Sequence, residues 1–335
     1  MSSTTVTDVQ VPSGFTARAI DPDADSEAVV DLINLAAVAE YGTPNATLHL
    51  VRESYNSPGF DPHSDGRLVV DSQGRAAAVV EFYDDSNHVY PFVYVRVRPD
   101  LLKAGIGEAL LAWAERRGGK TVGLAAPDLR VSLRANASGV NHLMERIFER
   151  GGWVVERVFW TMEIELNEER PIVPPLPESI TIRTAVAGQD ERAAYEAIME
   201  AFADHFGFLP RTFEEWLSAE KLYTYDPSLW FLAVAGDQIA GIALCLFDAP
   251  GRPEMGWVRE LGVRTAWRGQ GLGLALLKHA FAELHGRGKR QVGLTVDSES
   301  LTGATRLYER AGMHVARDER SYARVLREGR EIRPV

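Results

Sequence analysis

One cysteine among 335 residues, Cys245, leaves the chain unable to close an internal disulfide. That excludes a disulfide-stapled secreted scaffold and points to a reducing compartment. Cys245 lies in the apolar run IAGIALCLF and reads as a small buried hydrophobe, not a nucleophile. Basic residues are also scarce: 36 Lys and Arg stand against 47 Asp and Glu, a net charge of -11. A protein that tracks nucleic-acid phosphates needs the opposite balance, so no nucleic-acid partner is expected. The eight histidines show no ligand spacing. His279 and Glu283 stand four apart on a helical pattern, but nothing else converges on them, and no metal is expected. No stretch reaches the ~18 apolar residues of a membrane helix. The opening MSSTTVTDVQVPSGF lacks the basic and apolar regions of a signal peptide. The expectation is a cytoplasmic protein with no membrane partner.

The chain has 45% hydrophobic and 25% charged residues, enough apolar matter for a globular core. Its length exceeds one ordinary core and suits two domains. The clearest break is NEERPIVPPLPES, Asn167 to Ser179, with four prolines in seven residues, a stiff connector. The two sides repeat each other. Each opens with a short strand and helical segments. Two β-like runs follow, joined by a polar turn: Ala-Gly-Asp-Gln in WFLAVAGDQIAGIALCLF and Asp-Ser-Gln-Gly in GRLVVDSQGRAAAVVEFYD. A further strand (GWVRELGVR, PFVYVRVRP) leads into a glycine motif that opens a helix (GQGLGLALLKHAFAELHGRG, KAGIGEALLAWAERRGG). Leu272, Leu276, Ala280 and Leu284 recur on one helix face, as do Ile106, Leu110 and Trp113. A strand (QVGLTVDS, KTVGLAAP), a helix (LYERAGM, IFERGGW) and a closing pair of strands complete each half. The predicted order is β-α-α-β-β-β-α-β-α-β-β, twice: an α/β fold with a mixed sheet flanked by helices.

RGQGLG, Arg268 to Gly273, concentrates backbone N–H groups that suit an anion. A P-loop is excluded because Lys-Ser/Thr is missing. A Rossmann fingerprint fits poorly: Leu274 occupies the third glycine slot, and the loop follows the fourth strand, not the first. GVRTAWRGQGLGLALL resembles instead the pyrophosphate loop of the GCN5-related N-acetyltransferase (GNAT) superfamily, Arg/Gln-x-x-Gly-x-Gly/Ala, with Arg268, Gly271 and Gly273 at the fixed places. ESLTGATRLYERAGM resembles that family's second signature through Ala304, Leu307, Tyr308, Gly312 and Met313. Ser300 or Leu301 stands where the family has asparagine. The paired layout resembles tandem-domain mycothiol synthases and related actinobacterial acetyltransferases.

The resemblance implies two tandem, mostly antiparallel GNAT-like sheets: 1–166 an N-terminal domain, 167–178 a Pro-rich linker, 179–335 a catalytic C-terminal domain. It implies acetyl-CoA as co-substrate, held by Leu261, Val263, Arg268, Gly269, Gln270, Gly271, Leu272, Gly273 and Ser300. Leu261 to Val263 would supply backbone contacts, and Gly262 would suit a bulge that splays the fourth strand. Tyr308 is the candidate acid for the leaving thiolate, since a phenol is protonated at pH 7. Glu260 is the candidate base for the amine, working through water, and Glu254 a weaker substitute. Asp204, His205, Phe206 and Trp216 are candidates for the acceptor wall. In the first half Leu102 replaces the Arg/Gln and Phe148 replaces the tyrosine, while Gly105 and Gly107 persist, so that domain is expected to be degenerate. The leading expectation is transfer of an acetyl group to a small primary amine, by a monomer or homodimer. Rival readings are an acyl-CoA-binding sensor without turnover and a peptide N-terminal acetyltransferase.

Overall fold

A computed structural model describes residues 8–332 apart from 58, 85–86, 206–207, 209, 223–224 and 301–302. The described residues divide into two compact units, one of residues 8–158 and 319–332, the other of 159–318.

The first unit opens with strand β1 (Phe15–Ala19) and helix α1 (Pro22–Tyr41). Asp21 caps α1 by accepting from the Asp23 and Ala24 N–H groups, and Gly42 at φ 78° closes it on the Val38 carbonyl, the pairing of caps a helix needs at its two ends. Short helices α2 (Leu48–Tyr55) and α3 (Pro62–Asp65) precede the hairpin β2 (Gly66–Asp71) and β3 (Ala76–Tyr83). Then come β4 (Phe92–Val97), α4 (Ile106–Thr121), β5 (Val131–Ser138), α5 (His142–Arg150) and β6 (Val154–Glu165). The second sequence half repeats this as β7 (Ile180–Thr184), α6 (Glu191–Ala201), α7 (Phe213–Leu222), β8 (Trp230–Ala235), β9 (Gln238–Leu246), β10 (Met255–Val263), α8 (Leu272–Gly286), β11 (Gln291–Asp297), α9 (Ala304–Arg310) and β12 (His314–Arg327).

Both expected hairpins form, and the predicted helix faces are buried. Three features differ from the sequence expectation. Each half closes on one long strand, β6 or β12, not a pair, because neither segment holds a glycine or proline to fold it back. The fifth strand of the first half is Val131–Ser138, not the run Lys120 to Pro127, which completes α4 and a 3-10 turn. The compact units also depart from the sequence halves at their ends. Glu319–Arg327 of β12 pairs antiparallel with β5 inside the first unit, and Phe159–Glu165 of β6 pairs antiparallel with β11 inside the second. Each unit is thus completed by a strand segment from the other half of the sequence. The proline-rich residues 167–178 carry no helix or strand.

Candidate active site

In the second unit β10 and β11 run parallel, but their register holds only from Met255–Gln291 to Trp257–Gly293. Gly293 makes the last pairing possible: a Cβ there would stand 2.6 Å from the Trp257 ring. Beyond it β10 stays paired with β9 as far as Val263, and Leu294–Asp297 of β11 stay paired with β6. The two strands fork, and the fork coincides with a bulge. Val258 faces Cys245 and Glu260 faces Leu244, leaving Arg259 as the extra residue. A bulge shifts side-chain parity by one. Leu261 and Val263 therefore join Val258 on the side of the main core, where strict alternation would have put Glu260 and Gly262. Gly262 is not the bulge. Its small size answers α6, since a Cβ there would lie 2.8 Å from Ala201 Cβ.

The fork opens a cavity of about 650 Å³. Val258, Leu261 and Val263 line one wall, Leu294 to Asp297 the other, and Ala201, Phe202, Asp204 and His205 a third side. Its end is the predicted glycine loop. A 3-10 turn, Thr265–Trp267, leads to Gly271, which N-caps α8 at φ 81°, a left-handed conformation glycine adopts without strain. Gly271 has no side chain to cap the helix, so the N–H groups of the first turn keep their donors for a ligand. Gly273 lets α9 approach: a Cβ would stand 2.8 Å from Leu307 Cδ1.

Most of the predicted coenzyme residues meet here. Leu261, Val263, Arg268, Gly269, Gly271, Leu272, Gly273 and Ser300 all line the cavity. Gln270 is exposed and does not. Arg268 has a second occupation: Nη1 donates to Asp204 Oδ2 at 2.7 Å, Nη2 to the Ala201 carbonyl at 3.0 Å and Nε to the Val263 carbonyl at 3.2 Å. It ties the loop to the end of α6, and this bond holds the Asp204 carboxyl below its usual range.

Tyr308 lines the cavity from α9, and burial pushes its phenol up to about 12. It stays protonated at neutral pH. Glu260 stands beside the cavity, turned by the bulge away from the lining. Its Oε1 is 3.5 Å from Arg259 Nη2, and its Oε2 is buried without a hydrogen-bond partner among the described residues. Burial raises its carboxyl to about 7; Arg259 opposes the shift and Glu220 adds to it. Glu254 is a poor alternative, since Arg252 at 2.8 Å holds it ionised and low. His205 lines the cavity with its ring 4.5 Å from that of Phe202, and burial lowers its pKa. Trp216 does not line it: it is fully buried among Trp230, Tyr195 and Phe213. Phe206 and Leu301 lie outside the described residues. His279 stands edge-on to Phe231, and Glu283 pairs with Arg170. Sequence reasoning missed Arg306 and Arg310, which flank Tyr308 on α9 and line the cavity. Their i,i+4 spacing around the tyrosine was the available signal.

The first unit makes the same turn and fills the space. Eight residues separate Val97 from Ile106, as eight separate Val263 from Leu272, and Gly105 caps α4 at φ 80°. Strands β4 and β5 share one register pair, Phe92–Arg134. The space beyond holds only about 30 Å³. Met144 packs into it from α5, and the extra length of α1 carries Glu40 and Tyr41 over it. Asn141 donates to Glu40 and Asn136 to Glu319, each at 2.6 Å. Phe148, at the place of Tyr308, is stacked on Tyr322 with centroids 4.7 Å apart.

Comparison with known proteins points to the same family. The family model described as "Acetyltransferase (GNAT) family" matches residues 192–313. A mycothiol acetyltransferase of Thermobispora bispora is 32% identical over 292 residues, 86% of this chain and 92% of its own. A crystal structure of a GCN5-related N-acetyltransferase from Sphaerobacter thermophilus is 37% identical, with a TM-score of 0.81 over 96% of this chain and 99% of that one. A tandem GNAT protein from the clavulanic acid biosynthesis pathway shares the fold at 17% identity, with a TM-score of 0.70 over 94% of this chain and 100% of its own.

Proposed function

The chain belongs to the GCN5-related N-acetyltransferase family, and from that premise we propose that its second unit moves an acetyl group from acetyl-CoA to the primary amine of a small molecule. Members of this family use acetyl-CoA as co-substrate. The observation that carries the reading is one cavity bounded by three things the reaction needs: the open first turn of α8, the fork between β10 and β11, and Tyr308. The coenzyme's pyrophosphate lies on Gly269 to Gly273, where first-turn N–H groups and the helix dipole favour an anion. Its pantetheine arm occupies the fork, alongside Leu261 and Val263.

The acceptor must lose a proton before it attacks. Glu260 takes that proton through water, and its raised carboxyl suits a base working near neutrality. The nitrogen forms a bond to the thioester carbon, and collapse of the tetrahedral adduct breaks the carbon–sulfur bond. Tyr308 donates its proton to the departing thiolate. Similarity to proteins named mycothiol acetyltransferase supports a small-molecule acceptor. The first unit binds no acetyl-CoA in this reading.

A thermal-shift titration with acetyl-CoA tests the reading first. A ligand at 100 times its dissociation constant adds about 2.7 kcal/mol of stability. The expected result is a saturable shift, followed by CoA release with a panel of amino sugars and polyamines. No shift at millimolar acetyl-CoA would sink it. A shift with no CoA released by any amine would leave a coenzyme-binding protein without turnover.

A further inference from the structure

Arg259 and Glu260 are neighbours on β10, and a plain pairing between them would pull the carboxyl down and spoil it as a base. The structure shows a third member. Glu220 of α7 is only 4% exposed, and it takes the Arg259 Nη2 in a short hydrogen-bonded ion pair. Glu260 Oε1 is left at 3.5 Å from the same nitrogen, beyond a strong hydrogen bond, and Oε2 has no hydrogen-bond partner among the described residues. We infer that Glu220 is a positioning residue for Glu260: by engaging the Arg259 guanidinium, it keeps that cation from claiming the carboxylate beside the acetyl-transfer cavity. The inference rests on the proposed role of Glu260 as the amine's base.

The surroundings support a built device. Glu260 sits opposite Leu244 of β9, and α6 meets this face of β10 with Ala201 and Phe202 at Gly262. The charged groups acting on Glu260 are Arg259 of its own strand, Glu220 of α7, and Arg211 just before α7. Two carboxylates and one close guanidinium cannot all be ionised in a dry setting without a net negative charge. One proton is therefore retained more readily than on a solvated pair. Burial raises Glu220 as well as Glu260. Glu220 holds the nearer contact to the cation, so it stays ionised more readily, and Glu260 becomes the carboxyl that titrates near neutrality. The bulge at Arg259 matters here. Neighbours in a regular strand point to opposite faces, whereas the extra residue lets the two side chains approach.

The test is a carbon-13 NMR titration of the full chain, labelled at the glutamate side-chain carboxyl carbon. The Glu260 resonance is identified by its loss in Glu260→Gln. The midpoint is expected at about 7 in wild type. Glu220→Gln frees Arg259 and removes a like charge, so the midpoint falls by ~1 unit or more. Arg259→Gln removes the cation, so it rises. Glu220→Asp keeps the charge and holds the midpoint near that of wild type. Opposite displacements in the two glutamine variants are a signature that loss of packing does not produce. An unmoved midpoint in folded Glu220→Gln, or displacement of both variants the same way, overturns the inference. If Glu220→Gln does not fold, a midpoint in Arg259→Gln that fails to rise overturns it alone. The role of Glu260 is read separately: unchanged CoA release to the amine panel in Glu260→Gln overturns the base assignment, whatever the midpoints do.

Discussion

Leu102–Gly107 and Arg268–Gly273 build the same turn twice, with a 3-10 turn before it, a left-handed glycine as N-cap and a helix after it. One turn faces about 650 Å³ of space and the other about 30 Å³. The backbone is alike because each helix starts on a glycine in the left-handed conformation, which glycine adopts without strain. The side chains differ because both pairs of strands part and only the second unit keeps the space between them open. In the first unit Met144, Glu40 and Tyr41 reach into the gap. In the second, α6 stops at Ala201 and leaves its end to Asp204 and His205. A shared turn is therefore weak evidence of a shared activity, whereas the space beyond the turn is strong evidence.

The largest expected effect comes from making the second unit like the first at one atom. Tyr308→Phe copies Phe148. It should lower kcat by roughly 100-fold or more, the usual worth of a general acid, while the acetyl-CoA thermal shift persists. A fully active Tyr308→Phe would break the comparison at this position, since the tyrosine would then not be a catalytic group that the first unit lacks. The next effect concerns Glu260, which stands three residues before the strand end, where the first unit has Tyr94. A carboxyl raised from 4.5 to about 7 in the fold costs stability as pH climbs through that window. The unfolded chain releases the proton first, so folding stability falls from pH 4.5 to 7 and stays reduced above it. Glu260→Gln should remove a penalty of up to about 3 kcal/mol at pH 8 and change little at pH 4.5. Urea unfolding at the two pH values measures this, and Tyr94→Phe should leave the pH dependence unchanged.

Much of this was legible in the sequence, for reasons particular residues show. The repeat, the hairpins and the glycine turn announce themselves through turn residues and helical periodicity. Leu261, Val263 and Tyr308 were placed by motif, and the geometry brings them to one cavity. The fifth strand of the first half was not legible. Its true segment, Val131–Ser138, carries Arg134 and Asn136, which look like surface residues. In the fold they find Glu156 and Glu319 as partners. The bulge was expected at Gly262 because glycine tolerates distortion, yet it falls at Arg259, and only strand pairing reveals it. Trp216 looked like a wall residue because it lies in an aromatic, polar segment. Aromatic partners on other elements bury it instead.

Two smaller effects sharpen the comparison. Gly107→Ala and Gly273→Ala each place a methyl against a side chain, at 3.0 Å from Ile147 and 2.8 Å from Leu307. Overpacking opposes the gain in helix propensity at each site, so each should change stability by no more than about 1 kcal/mol. Only Gly273→Ala should also weaken the acetyl-CoA shift. The smallest effect on stability is expected from Arg268→Leu, which copies Leu102. The Arg268–Asp204 pair is part-exposed at 32% and 44%, so its loss should cost less than about 1 kcal/mol. Its effect on the coenzyme should be larger than its effect on the fold, because the guanidinium also holds the Ala201 and Val263 carbonyls and so fixes the loop against α6. Calorimetric titration of acetyl-CoA against Arg268→Leu and Asp204→Asn separates two roles of the arginine. If Arg268 acts by holding the loop, both variants weaken binding alike. If it acts by its charge on the pyrophosphate, Arg268→Leu weakens binding while Asp204→Asn, which frees the guanidinium, strengthens it.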